Sequence, residues 1–193
     1  MLAYLDKIWR ILLKKGNDVT ILARNKTYEN LKNNGLIIKH KFEKKTVDYF
    51  NVIEKLDKND ILFIVSRFSS LDNLVPNIEN NKSKNIVFVG NNISVEKYMN
   101  IKDKNILFAF FMAAGKKYDG YINSICLNKI EIGRVDGKDI NNEFIKPILK
   151  ETKIKVIIEN RMNDYLKVHA CAILPLIFAS HKVNCNLFVG RII

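Results

Sequence analysis

Three continuous apolar runs dominate the middle of the chain: Asp60–Ser66 (DILFIVS), Asn85–Val89 (NIVFV) and Asn105–Phe111 (NILFAFF). A strand with one wet face alternates apolar and polar residues, so a run that is apolar throughout must be buried on both faces. Helix-like stretches lie between the runs, over about residues 69–80 and 94–100. Doubly buried strands alternating with helices are the pattern of an α/β fold, a parallel sheet covered on each side.

The flanking segments extend this pattern. Residues 2–15 predict an amphipathic helix, with Leu5, Ile8, Trp9 and Leu12 at i, i+3, i+4 and i+7 and Gly16 as its stop. Asp18–Ala23 (DVTILA) reads as a buried strand, residues 26–33 as a short helix ended by Asn33-Asn34-Gly35, and Leu36–Lys39 and Lys41–Val47 as short strands. Downstream, Tyr121–Leu127 and Lys129–Gly133 predict two strands joined by a tight turn at Asn128. A helix over about residues 139–151 and a strand at Lys155–Glu159 follow. Asn163 then opens a long helix with the apolar stripe Leu166, Ala170, Ile173, Leu174 and Ile177, kinked at Pro175.

Charge and cysteine usage narrow the function classes. The net charge of +12 comes from lysines spread along the chain, as at Lys14-Lys15, Lys44-Lys45 and Lys116-Lys117. No arginine-rich tract or aromatic-basic motif accompanies them, so a solvated surface is expected and no nucleic-acid partner. Cys126, Cys171 and Cys185 include no C-x-x-C pair, which predicts reduced thiols in a cytoplasmic protein. His181 and Cys185 lie four apart but lack further ligands, so no metal site is expected. The N-terminus is too charged for a secretory signal, and no run is long enough to span a bilayer, so no membrane partner is expected.

Five segments, in order, resemble the ketopantoate reductase family. They are Lys15–Arg24 (KGNDVTILAR), Ile61–Arg67 (ILFIVSR), Asn85–Asn92 (NIVFVGNN), Ile106–Asp119 and Tyr165–Leu176 (YLKVHACAILPL). The resemblance implies a Rossmann-like, mostly parallel sheet over residues 1–160. Residues 161–193 would be the first helix of a helical second domain. It also implies an NADP cofactor and reduction of a small 2-keto acid, as by 2-dehydropantoate 2-reductase.

The resemblance assigns roles to four residues. Arg24 follows the second strand of such a fold, where an arginine accommodates the 2′-phosphate of NADP; it is otherwise a solvent-exposed strand end. Arg67 stands where the family usually has a lysine near the cofactor phosphates, or is a surface cation. Asn91 matches the asparagine of the family's Gln-Asn-Gly, which touches cofactor and substrate, with Gly90 and Asn92 replacing its neighbours; it is otherwise a turn former. Lys167 is the candidate catalytic cation beside the developing alkoxide, or an exposed helix lysine. It lies one position late when Ile173-Leu-Pro-Leu176 is aligned, and the family's helix asparagines fall at Ala170 and Leu174. His169 is an alternative proton donor, or a structural histidine beside the apolar stripe.

The family's phosphate-binding G-x-G-x-x-G would place its second and third glycines at Leu2 and Leu5 and its first before Met1. The chain thus reads as a truncated or degenerate relative, lacking the central first strand and exposing two sheet edges. Two function classes follow: an impaired NADP-dependent oxidoreductase, or a non-catalytic Rossmann remnant that binds a nucleotide or a protein partner. An exposed strand edge also makes a homodimer plausible.

Overall fold

The computed structural model describes residues 12, 16–40, 45–56, 59–66, 68–91, 93–118, 121–140, 145, 152 and 154–182. The expected helices over residues 2–15 and 139–151 fall almost wholly outside these. Nine strands and three α-helices are described: β1 Thr20–Leu22, α1 Lys26–Asn34, β2 Leu36–His40, β3 Thr46–Asp48, β4 Asn51–Ile53, β5 Ile61–Val65, α2 Val75–Asn80, β6 Asn85–Val89, β7 Asn105–Tyr118, β8 Tyr121–Gly133, β9 Lys155–Ile158 and α3 Met162–Lys182. Single 3-10 turns at Phe68–Ser70 and Glu96–Asn100 complete the order.

Seven strands form one mixed, mostly parallel sheet in the order β3-β2-β8-β7-β6-β5, with β9 also on β8. The pairs β5–β6, β6–β7, β2–β8 and β8–β9 are parallel, and β2–β3 and β7–β8 are antiparallel. Because β7 occupies one edge of β8 along its length, β2 and β9 share the other edge, one at each end. β1 and β4 form a separate parallel pair. Among the described residues β1 bonds only β4, and β5 bonds only β6, so both present an edge.

The apolar runs are explained by two cores, one on each face. Ile86 and Phe88 of β6 and Ile106, Phe108 and Phe110 of β7 point to one side, against Leu71, Ile78, Val95, Tyr98, Met162 and Leu166. The residues between them, Val87, Val89, Leu107, Ala109 and Phe111, point to the other, with Leu12, Val19, Ile130, Ile132 and Ile145. The Phe88 and Phe108 rings stack in the first core, their centroids 5.4 Å apart. A third cluster seats α1 through Leu31 against Leu36, Ile38 and Ile122.

Asparagine opens two neighbouring strands for a reason. Asn85 and Asn105 are register partners; Asn105 Nδ2 donates to Asn85 Oδ1 at 3.2 Å, and Asn85 Nδ2 donates to the Asp60 carbonyl at 3.0 Å. These bonds satisfy polar groups where the parallel strands enter the sheet.

Four expectations need correction. Tyr121–Gly133 is one unbroken strand with no turn at Asn128; its hairpin partner is β7. β7 extends past the expected Asn105–Phe111 run to Tyr118, with a register shift against β8 between Phe111 and Ala113. The expected helix over residues 69–80 is split into a 3-10 turn and the short α2, which starts with Pro76 in its first turn. The short strand β4 was not expected; its polar start hides a parallel partner 31 residues earlier in sequence, where Asn51 Nδ2 donates to Thr20 Oγ1.

Candidate functional site

In parallel sheets of this kind, ligands bind beyond the carboxyl ends of the strands. That rim is formed here by the chain leaving β5 at Ser66 and β6 at Gly90-Asn91, whereas Ala23-Arg24 follows β1 of the separate two-stranded sheet. Gly90 N donates to the Ala109 carbonyl at 3.1 Å, while its φ of 141° turns the chain off the sheet. Side chains rarely adopt such a backbone angle, which is why glycine stands there. Asn91 follows, exposed, and Ser94 takes a left-handed φ of 56° before Val95 anchors the turn in the core.

Helix α3 meets this turn. Met162 and Leu166 are buried in the same core as Val95 and Tyr98. Their burial orients the neighbouring polar face of the helix towards Glu96: Asn163 Nδ2 donates to Glu96 Oε1 at 2.9 Å, and Lys167 Nζ to the same oxygen at 3.2 Å. Residues four apart on a helix share a face, so two donors converge on one acceptor. The Glu96 carboxyl is held below its ordinary 4.5, first by its own backbone amide, then by Lys167 and Asn163. With its folded value depressed, Glu96 contributes stability above the unfolded pKa and loses it as pH falls through the folded one. A Lys167→Met variant should therefore raise the Glu96 pKa without restoring it fully to 4.5, because the amide and Asn163 remain. Carboxyl-detected NMR titration measures this; an unchanged Glu96 midpoint would contradict the pairing.

Further along the helix, Tyr165 and His169 cover Glu131 of β8. Phe110 of β7 is the register partner of Glu131, and its ring lies 4.0 Å from that of His169 and 6.2 Å from that of Tyr165. Glu131 is only 2% exposed and forms an ion pair with Lys129. Burial, then the nearby charge of Glu131, push the Tyr165 phenol up to about 12.

Comparison with known proteins places this geometry. Residues 8–137 match the family Ketopantoate reductase PanE/ApbA. The chain belongs to the ketopantoate reductase family. Solved structures agree in fold. The 2-dehydropantoate 2-reductase from Porphyromonas gingivalis W83 has 13% identity and a TM-score of 0.68, over 86% of this chain and 64% of that one. The dimeric ketopantoate reductase from Staphylococcus aureus has 14% identity and a TM-score of 0.63, over 81% and 56%. D-mandelate dehydrogenase, solved with NADH, has 15% identity and a TM-score of 0.62, over 81% and 52%. The chain thus spans between about half and two thirds of the length of these structures. No curated protein sequence gives a significant match.

Within this ketopantoate reductase fold, the structure ties one of the four sequence-derived candidates to the segment after β6. Lys167 is tied to Glu96, five residues after Asn91 in the same turn. Arg24 lies two residues beyond β1 of the two-stranded sheet, exposed and without an ion pair to any described residue. Arg67 lies outside the described residues. Glu96 and Asn163 were not singled out from sequence, although the Asn163/Lys167 spacing already put two donors on one face and so called for an acceptor. Among the described residues no cluster of three or more His, Cys, Asp or Glu side chains could hold a metal, and no helix is long and apolar enough to cross a membrane.

Proposed function

We propose that this chain is the nucleotide-binding part of an NADP-dependent reductase acting on a small 2-keto acid. Family membership supports an oxidoreductase with a nicotinamide cofactor. Arg24 carries the choice of NADP: a guanidinium at the carboxyl end of β1, uncompensated by any described acid, suits a 2′-phosphate. In this reading Arg67 adds charge for the cofactor phosphates and Asn91 contacts cofactor and substrate. Lys167 meets the substrate oxygen as it gains charge on hydride transfer, with Glu96 aiming its ammonium. Residues 1–160 form the cofactor domain and residues 161–193 open a second, helical one. Val168, Leu174 and Phe178 on α3 are 68%, 51% and 71% exposed, an apolar surface that suits a homodimer contact.

One observation favours a second reading, a nucleotide-binding module without reductase activity. Aligning Ile173-Leu-Pro-Leu176 puts the family's lysine position at Leu166, which is 1% exposed in the core, and its asparagine positions at Ala170 and Leu174. Lys167 is then the one cation left on this stretch of helix.

Titration of the protein with NADPH and NADH, followed by cofactor fluorescence, tests the cofactor site. NADPH should bind about tenfold or more tighter than NADH, and Arg24→Ala should erase the difference. No saturable change at millimolar cofactor would remove the proposal. Oxidation of bound NADPH by 2-keto acids then separates the readings: turnover supports the reductase, and binding without turnover supports the module.

A further inference from the structure

We propose that His169 is an acid-released latch that holds α3 against the sheet. The latch is built from groups the cofactor reading does not use. The imidazole sits in a slot of rings, 4.0 Å from Phe110 and stacked at 6.0 Å on Tyr165. Its Nε2 is buried and has no hydrogen-bond partner among the described residues. A neutral imidazole fits such a slot better than an imidazolium, whose Nε2–H would be buried without an acceptor.

None of the charged groups around it makes a hydrogen bond to that nitrogen. From β8, Glu131 faces the helix, but Lys129 already neutralises it and Tyr165 covers it. From β9, Lys155 and Ile157 are the register partners of Lys129 and Glu131, adding a cation and an apolar side chain. β7 contributes Phe110, which carries no charge. The turn into the helix contributes Glu159 and Arg161, and α3 itself Asp164, all lining the open side of the same pocket. Neither Glu131 oxygen nor His169 Nε2 has a hydrogen-bond partner among the described residues, so the acid acts on the ring only through its charge. Consistent with this balance, burial lowers the His169 pKa below its ordinary 6.5 and Glu131 offsets that only in part.

The sign follows. The folded state favours neutral His169, so the contribution is complete above 6.5 and is lost as pH falls from there through the lower folded value. Release of His169 loosens the helix that carries Asn163 and Lys167, and with it their hold on Glu96. The latch is therefore a pH-sensitive link between the sheet and the Asn91 turn, whether or not the chain turns over a substrate.

The test uses the full chain labelled at the histidine rings, from about pH 8 to pH 5. NMR follows the ring titration, and hydrogen exchange, corrected for its intrinsic pH dependence, follows the α3 amides. The expected result is a His169 midpoint below 6.5. The protection of α3 should drop about tenfold over the same pH range. His169→Phe, which fills the slot with a ring that cannot charge, should keep its protection across the range. Unchanged protection in the wild-type protein, or the same acid-induced loss in His169→Phe, overturns the proposal. Should His169→Phe fail to fold, the wild-type titration decides alone: coincident ring and exchange midpoints support the latch, and separated midpoints overturn it.

Discussion

Gly133→Ala is expected to destabilise the protein by about 3 kcal/mol or more, because no relaxation of a flexible side chain can make room for the added methyl group. A Cβ at Gly133 would lie 2.1 Å from the Glu159 carbonyl oxygen and 2.7 Å from the Met162 Cβ. Both obstacles belong to the turn that leads from β9 into α3, and Glu159 N donates to the Ile132 carbonyl at 2.9 Å there. The backbone must move, and with it the start of the helix. Gly137→Ala is the matched control. Its φ of 73° is strained for alanine, but nothing lies within 4 Å of the added atom. It should cost only about 1 kcal/mol. Urea melts of both variants measure the contrast. Equal losses would mean that α3 is not seated on β8 as described.

Phe108→Ala should cost about 3–5 kcal/mol through lost burial and the cavity left behind. Phe108 is 1% exposed, and its ring stacks on Phe88, which in turn lies 5.6 Å from the ring of Tyr98. The Tyr98 hydroxyl donates a hydrogen bond to Asp72 Oδ1 at 2.8 Å, so the aromatic row ends at a polar anchor that also takes Lys97 at 2.7 Å. The row links β7, β6 and the 3-10 turn that carries Glu96. Phe88→Ala should cost a similar amount. The double variant should fall short of the sum, since each single change already loosens the other ring. Additive losses in thermal or denaturant unfolding would show that the two rings do not share one packed environment.

What could be read from the sequence follows from burial. The β5, β6 and β7 runs were legible because both faces of those strands are covered, so every side chain had to be apolar. β8 was misread for the opposite reason. Leu127-Asn128-Lys129 interrupts its apolar pattern, and Leu127 and Asn128 are exposed within an unbroken strand. Nothing local distinguishes such a stretch from a turn; the long pairing with β7 decides it. The stripe expected on α3 is buried at Leu166 and half exposed at Leu174, because the sheet covers only the first turns of the helix.

The candidate site divides along the same line. Arg24, Asn91 and Lys167 could be picked out because each lies at a recognisable place in an ordered series of segments. Their partners could not. Glu96 lies 71 residues before Lys167, and only the packing of Leu166 beside Val95 makes them meet. Lys129-Ile130-Glu131-Ile132 alternates like a strand with one wet face, so sequence alone puts Glu131 in water.

The sequence by itself determined the α/β layering and the kinship with ketopantoate reductases, because continuous apolar runs and their order are local, one-dimensional signals. The tertiary structure decided which polar groups face one another. It alone shows Glu131 buried under Tyr165 and His169, and Glu96 gathering Asn163 and Lys167. Such pairings depend on where α3 returns to the sheet, and that position is set by the summed burial of side chains distant in sequence.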